Sequence, residues 1–264
     1  MPEGHSVRRH ALEHLARFGG RPVAVTSPQG RFADGAALLD GRVLDRVETN
    51  GKHLFLGFAG ELWLHVHLGL YGTWTLGDAP PPPPRGALRV RIVGGGSYAD
   101  LRGATAVEVW TDVEKALLEA RLGPDPLHRR PRSERAWERL SRSRSPIGQL
   151  LMDQAVVAGV GNVYRAEVLF RAGMSPHRPG RAVSRAEWDV LWSDVVMLMK
   201  AGVRTGRIVT TRPADRPRAG RVRAEDAHYV YRRHGLPCRV CGTPVATEVM
   251  AGRNLFWCPR CQAM

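Results

Sequence analysis

Gly148–Phe170 reads GQLLMDQAVVAGVGNVYRAEVLF. Apolar residues recur at helical spacing over Ile147–Val157 and again over Val163–Phe170, on either side of Gly159-Val160-Gly161-Asn162. That pattern predicts two helices joined by a tight turn. Two glycines permit backbone geometry that other residues avoid, and Asn162 is placed as the N-cap of the second helix. A helix N-terminus with exposed amides and a polar cap attracts anions, DNA phosphate among them. An ordinary helical hairpin that turns on glycine fits the same residues. The stretch therefore establishes helical architecture here and leaves its ligand open.

Working outward, Ser133–Ser141 and Arg185–Ala201 also carry helical periodicity. Ser184 with Glu187 three residues on makes a capping box for the latter, and Gly202 is placed at its end. Arg204–Arg223 is basic and rich in Pro and Gly, so a mobile loop is expected. Cys238-x-x-Cys241 and Cys258-x-x-Cys261 follow, with sixteen residues between the pairs. Two such knuckles place four thiolates on one tetrahedral zinc ion with no open position, which predicts a single structural Zn2+. Val245, Thr247 and Val249 alternate against Leu255 and Trp257 across Ala251–Asn254, a two-stranded hairpin with Arg253 near its tip.

Toward the N-terminus, Glu3–Phe18 predicts a helix with Val7, Ala11, Leu15 and Phe18 along one stripe, closed by Gly19-Gly20. Strand-like runs follow at Pro22–Ser27, Arg42–Thr49, His53–Phe58, Leu62–Leu68, Gly72–Leu76, Leu88–Val93 and Ala106–Trp110. The expected layout is a β domain, an antiparallel sandwich or barrel, followed by a hinge, a helical domain and a metal-binding hairpin. The expected boundaries are 1–115 for the sandwich, 116–130 for a hinge, 131–228 for the helical domain and 229–264 for the zinc finger.

Lys plus Arg number 39 against 25 acidic residues, a formal net charge of +14. Such an excess favours a polyanionic partner and salt-dependent binding. Nearly all the cations are Arg, as coding bias would produce, yet bias alone exchanges Lys for Arg without raising the net charge. No apolar run is long enough to span a bilayer, and Met1-Pro2-Glu3-Gly4-His5 lacks the layout of a secretory signal. The expectation is a cytoplasmic protein with no membrane partner.

Taken in order, MPEG, GKHLFL, HVHLGLYG, RLGPDPL, LLMDQAVVAGVGNVYRAEVLF and GRNLFWCPRCQ resemble the formamidopyrimidine-DNA glycosylase and endonuclease VIII family over almost the whole chain. MPEG and Leu70-Tyr71 look more like the endonuclease VIII branch, which removes oxidised pyrimidines. The resemblance implies an α+β fold, an N-terminal β-sandwich flanked by helices and then a helix–two-turn–helix domain with a zinc-finger hairpin, and the activity of a bifunctional glycosylase and abasic-site lyase of base excision repair. It also implies a bacterial monomer, associated with the nucleoid through damaged DNA, double- or single-stranded. By the same resemblance Pro2 is the nucleophile, Glu3 the acid at the sugar, Lys52 an aid to β-elimination and Arg253 a group acting at the phosphate in δ-elimination. His67, Arg121 and Asn162 match DNA-contacting positions. Leu70 and Tyr71 match residues that fill the gap left by an everted nucleotide.

Each residue also has a plain reading. Pro2-Glu3 suits the first turn of any helix, Lys52 a solvated turn, Arg253 a hairpin tip, His67 a strand interior, and Leu70-Tyr71 a core. Family members commonly carry Pro and Glu where this chain has His5 and Ser6. Loss of a carboxylate beside the nucleophile implies altered lesion choice or weaker base excision. Two alternatives therefore stand beside the enzyme: a catalytically weak abasic-site or damage-binding paralogue, and a zinc-ribbon transcription or RNA-processing factor.

Overall fold

The computed structural model describes residues 2–218 and 220–263. Met1, whose removal would free the Pro2 amine, lies outside the described residues. The chain divides into two compact units, 1–121 and 122–264. The first takes in all of a helix, Asp112–Arg121, that straddles the expected start of the hinge at 116.

The first unit begins with α1 (Gly4–Phe18), which buries Val7, Ala11, His14 and Phe18. Leu15, expected on the buried stripe, is exposed, and His14 takes the inward position instead. Spacing explains the exchange: residues 7, 11, 14 and 18 follow one face of a helix more closely than 7, 11, 15 and 18. A short helix, α2 (Ala33–Leu39), escaped the sequence reading because Gly35 interrupts a brief run of alanine and leucine.

Two antiparallel sheets form the expected sandwich. One has β1 (Arg21–Pro22), β3 (Val43–Asn50), β4 (His53–Phe58), β5 (Leu62–His67) and β9 (Ala106–Trp110), in the order β1-β3-β4-β5-β9. The other has β2 (Ala24–Thr26), β7 (Leu88–Gly94), β8 (Ser97–Arg102) and β6 (Thr73–Asp78), in the order β2-β7-β8-β6. The single expected strand Pro22–Ser27 is thus two strands that change sheet at Val23. Strand β8 was not foreseen because Asp100 and Arg102 obscure its alternation. In the fold Asp100 is buried and receives both Nε (2.7 Å) and a terminal nitrogen (2.9 Å) of Arg91 on the adjacent strand. Such a pair satisfies two charges at once, and its value lies in fixing register. Between the sheets, Leu54, Leu56, Leu64 and Val66 pack with Val90, Ile92, Ala99 and Leu101, closed by the buried face of α1. Asp112–Arg121 is α3.

In the second unit α4 (Glu134–Leu140), α5 (Ile147–Leu150), α6 (Asn162–Arg171) and α7 (Arg185–Thr205) are helical. The helix expected over Ile147–Val157 stops at Leu150. Asp153 accepts the N–H of Ala155 at 2.8 Å and the Gln154 side chain accepts that of Gly159 at 2.9 Å, so side chains compete with the helical ladder. Two turns follow, and the N-cap of α6 is Gly161 rather than Asn162. Helix α7 has the expected Ser184–Glu187 capping box but passes Gly202, which is buried inside it, and ends at Gly206 in a left-handed conformation. Trp188, Leu191, Val195 and Met199 of α7 pack with Tyr164, Val168 and Leu169 of α6. In the expected loop Arg204–Arg223, Thr210 and Thr211 are buried rather than solvent-borne. The tail carries β10 (Ala246–Met250) and β11 (Arg253–Trp257), paired as a hairpin. No helix among the described residues is long and apolar enough to cross a membrane.

His14 makes the stability of the first unit depend on pH. Its Nδ1–H donates to the His10 carbonyl at 2.7 Å, its ring meets Trp74 edge-on at 4.5 Å, and it is wholly buried. Burial lowers its pKa to about 4. The unfolded chain takes up that proton near pH 6.5 while the folded chain refuses it until about 4, so stability is full above 6.5 and declines as pH falls through this window. His5, lowered to about 4 mainly by burial, acts in the same direction. The urea midpoint is expected to be lower at pH 5 than at pH 7.5, with a smaller drop in His14→Gln; a midpoint flat across this range would contradict it.

Candidate functional site

In the first unit the expected residues gather around the start of α1 and one end of the five-stranded sheet. Pro2 is half-buried and precedes the helix, and Glu3 is fully buried as its N-cap. The Ser6 hydroxyl accepts the Glu3 N–H at 3.2 Å and donates to the Glu3 carbonyl at 2.8 Å. Ser6 thereby takes the reciprocal position of a capping box and fixes the backbone of its neighbours. His5 is buried and held neutral at physiological pH, chiefly by burial, so it does not replace a carboxylate.

Lys52 occupies the turn between β3 and β4. Beyond it His53 pairs across the strands with His67 on β5, their ring centroids 4.8 Å apart. Burial lowers the pKa of both histidines, and the Lys52 charge lowers them further. Arg121, at the end of α3, adds a charge that acts on His53. The structure therefore brings Lys52, His67 and Arg121 into one electrostatic neighbourhood. Leu70 and Tyr71 form the loop after β5 and are exposed, Tyr71 by 84%. Gly69 shapes that loop: its φ is +65°, and a Cβ there would lie 1.8 Å from the Thr105 hydroxyl. An exposed apolar pair on a constrained loop is what a wedge between bases requires, and it excludes the core reading for these two residues.

In the second unit Cys238, Cys241, Cys258 and Cys261 present sulfurs that all lie within 4.8 Å of one another. Cys238 and Cys261 approach to 3.8 Å and Cys241 and Cys258 to 3.4 Å. Four sulfurs on one tetrahedral zinc stand about 3.8 Å apart, given a Zn–S bond of about 2.3 Å. The cluster fits and holds one structural zinc. Among the described residues no other group of His, Cys, Asp and Glu converges in this way. The apolar residues beneath it are few, with Phe170, Tyr229, Val230, Val245 and Phe256 at their centre. Elemental analysis is expected to find one zinc per chain, and chelation to unfold the tail and weaken DNA binding. A metal-free chain of undiminished stability would contradict this.

The hairpin turns on Ala251-Gly252, both at positive φ, and Arg253 opens β11 with an exposed side chain. Helix α6 grips this hairpin from below. The Asn162 side-chain amide donates to the Asn254 carbonyl at 2.9 Å, so it is committed to the hairpin rather than to capping its own helix. The buried Arg165 guanidinium donates to the carbonyls of Gly148 (3.4 Å), Met250 (3.3 Å) and Asn254 (3.4 Å), and to the Asn162 side-chain oxygen. Two residues on, the fully buried Glu167 accepts the N–H groups of Tyr229, Val230 and Tyr231, each at 2.8 Å, and the Thr210 hydroxyl. Sequence reading missed both. The available signal was a helix whose interior, between Asn162 and Arg171 at its ends, is apolar on every side except for Arg165 and Glu167, which marks them as buried charges with dedicated partners.

Residues 1–107 match the formamidopyrimidine-DNA glycosylase N-terminal domain, 122–213 the formamidopyrimidine-DNA glycosylase H2TH domain, and 235–263 the zinc finger found in FPG and IleRS. A protein of Mycobacterium tuberculosis named endonuclease 8 1 is 51% identical, the match covering 99% of this chain and 100% of the relative. Formamidopyrimidine-DNA glycosylase of Thermus thermophilus is 35% identical over 99% of this chain and 97% of its own length. Among solved structures, a Lactococcus lactis FPG mutant in complex with a Fapy-dG containing DNA superposes with a TM-score of 0.83 at 21% identity, covering 100% of both chains.

Proposed function

Because the chain belongs to the formamidopyrimidine-DNA glycosylase and endonuclease 8 family of DNA glycosylases and abasic-site lyases, we propose that it removes oxidised bases, pyrimidines foremost, and cleaves the abasic site by β,δ-elimination through a Schiff base on Pro2. The observation that carries this reading is the placement of Pro2 and Glu3 at the head of α1. Pro2 stands just outside α1, next to the buried Glu3 whose backbone Ser6 holds in place.

With Met1 removed, Pro2 is a secondary α-amine. Such a group has a pKa of about 7.7–8, so roughly a tenth or more is neutral and nucleophilic at pH 7. Its nitrogen attacks C1′ of the deoxyribose, and the bond from C1′ to the base breaks. Glu3 serves as the acid at the ring oxygen as the sugar opens. Having lost its only proton, the nitrogen remains as an iminium, an electron sink that acidifies the C2′ hydrogen. Loss of that hydrogen and of the 3′ phosphate completes β-elimination. Lys52 assists this step, and Arg253, a planar fork suited to phosphate, assists the second elimination at the 5′ side. His67 and Arg121 hold the DNA, Asn162 acts through the Arg253 hairpin that its amide engages at Asn254, and Leu70 and Tyr71 fill the space of the everted nucleotide and offset unstacking worth a few kcal/mol.

The test is borohydride trapping on DNA with a single abasic site, using chains shown by mass spectrometry to begin at Pro2, alongside duplexes carrying oxidised pyrimidines or purines. A covalent adduct mapping to Pro2 and faster release of pyrimidines are expected. Tight binding without adduct would instead favour the damage-binding reading, with His5 in place of a carboxylate as its physical basis.

A further inference from the structure

On the face of the five-stranded sheet opposite the core, His53 of β4, His65 of β5 and Glu108 of β9 form a hydrogen-bonded row across three strands. An ionised carboxylate only accepts, so His65 Nδ1–H donates to Glu108 Oε2 at 3.1 Å. That leaves His65 Nε2 as a lone pair, which accepts His53 Nδ1–H at 2.9 Å. His53 Nε2 in turn carries a lone pair. The tautomer of His53 is thereby dictated two residues away, by Glu108 acting through His65.

The row is rigidly built. His65 is 3% exposed and stacks on Trp110 at 3.8 Å and on Phe55 at 5.3 Å. Glu108 keeps its other side in water. At the opposite end His53 lies between Lys52, its neighbour in the chain, and His67, its partner across the strands. Other charges on this face are Arg121, which acts on His53, and Lys115 of α3, which lies over Phe55 and is paired with Glu48 and Glu119.

We propose that His53 Nε2 accepts the proton released in β-elimination, with His65 and Glu108 as the positioning residues that fix its tautomer and stabilise its charged form. This rests on the lyase reading above. As the C2′–H bond breaks, its electron pair moves toward the iminium and then into the C2′–C3′ double bond as the C3′–O bond breaks. A phosphodiester monoanion thereby leaves as a phosphomonoester that is largely dianionic at neutral pH, so about one proton per turnover must reach solvent. His53 Nε2 takes it, the imidazolium is held by His65 backed by the Glu108 carboxylate, and water then removes it from the same atom.

The electrostatics make this acceptor responsive to DNA. In the free protein burial first, then the nearby histidines, Lys52 and Arg121, lower the His53 pKa to about 3, so the ring waits unprotonated. Phosphate seated near Lys52 and Arg121 offsets the like-charge part of that shift and raises the basicity of His53 only in the complex.

The test compares Glu108→Gln and His53→Ala with wild type on abasic duplex under single-turnover conditions at saturating enzyme. Glutamine at 108 still accepts the His65 N–H but carries no charge, and its half-exposed position leaves the core untouched. Both variants are expected to give trapped adduct at wild-type yield but to cleave the strand about tenfold more slowly, with added imidazole restoring His53→Ala. Wild-type cleavage rates in both variants, or a slow His53→Ala that imidazole does not restore, would overturn the proposal while leaving the lyase reading intact. Absence of adduct from wild-type chains beginning at Pro2 would overturn the lyase reading, and this proposal with it.

Discussion

Replacing Pro2 by glycine is expected to lower adduct formation and strand cleavage on abasic DNA by about 100-fold, equivalent to about 2.7 kcal/mol of transition-state stabilisation. After Met1 removal glycine presents a primary amine, whose iminium can shed a second proton and relax to a neutral imine. The electron sink that drives loss of the C2′ hydrogen is then weakened. Glycine also releases the φ angle that proline fixes, so the nitrogen before α1 loses its orientation. Binding to a non-cleavable abasic analogue is expected to stay within a few-fold, because Pro2 contributes little of the basic surface. Quantitative trapping and a gel-shift titration check the two halves together. An unchanged trapping yield would remove Pro2 from the mechanism.

The second large effect is expected at Glu167. Its carboxylate is fully buried and accepts three consecutive backbone N–H groups at 2.8 Å, besides the Thr210 hydroxyl. Glu167→Ala leaves those donors inside the protein with no acceptor, each costing about 1–3 kcal/mol. Because the groups share one carboxylate the costs are not additive, and a total of about 3–5 kcal/mol is expected. Residues 229–231 lead into the zinc ribbon and Thr210 anchors the basic loop, so both should loosen together. Urea denaturation should show a lower midpoint, and hydrogen exchange should lose protection at Tyr229–Tyr231. A change under 1 kcal/mol would mean that water or a neighbouring group satisfies those donors.

Much of the molecule was legible in one dimension because its signals are local. CxxC knuckles need only a few residues to orient their sulfurs, and the capping box at Ser184–Glu187 spans a single turn. Strands β4, β5 and β9 alternate cleanly enough to be placed within a residue. The legible elements failed where a side chain found a better partner than the local ladder offered. Asp153 and Gln154 end a helix whose apolar periodicity continues to Val157, and Asn162 reaches Asn254 instead of capping α6.

The candidate site divides in the same way. The four cysteines follow from ligand spacing within short knuckles, whereas the roles proposed for Pro2, Glu3, Lys52 and Arg253 rest on the family resemblance of the whole series of motifs. Nothing in the spacing of His53, His65 and Glu108 announces a row, because sheet register alone puts residues twelve and forty-three positions apart side by side. Arg165 and Glu167 likewise acquire their meaning from the carbonyls and amides brought to them by segments more than sixty residues away. The sequence by itself determined the order of elements and the zinc site, because these follow from periodicity, turns and ligand spacing, while its motifs in their order pointed to the family. Tertiary structure alone decided which polar groups go inside and what they hold, because a buried charge is stable only beside partners that distant parts of the chain supply.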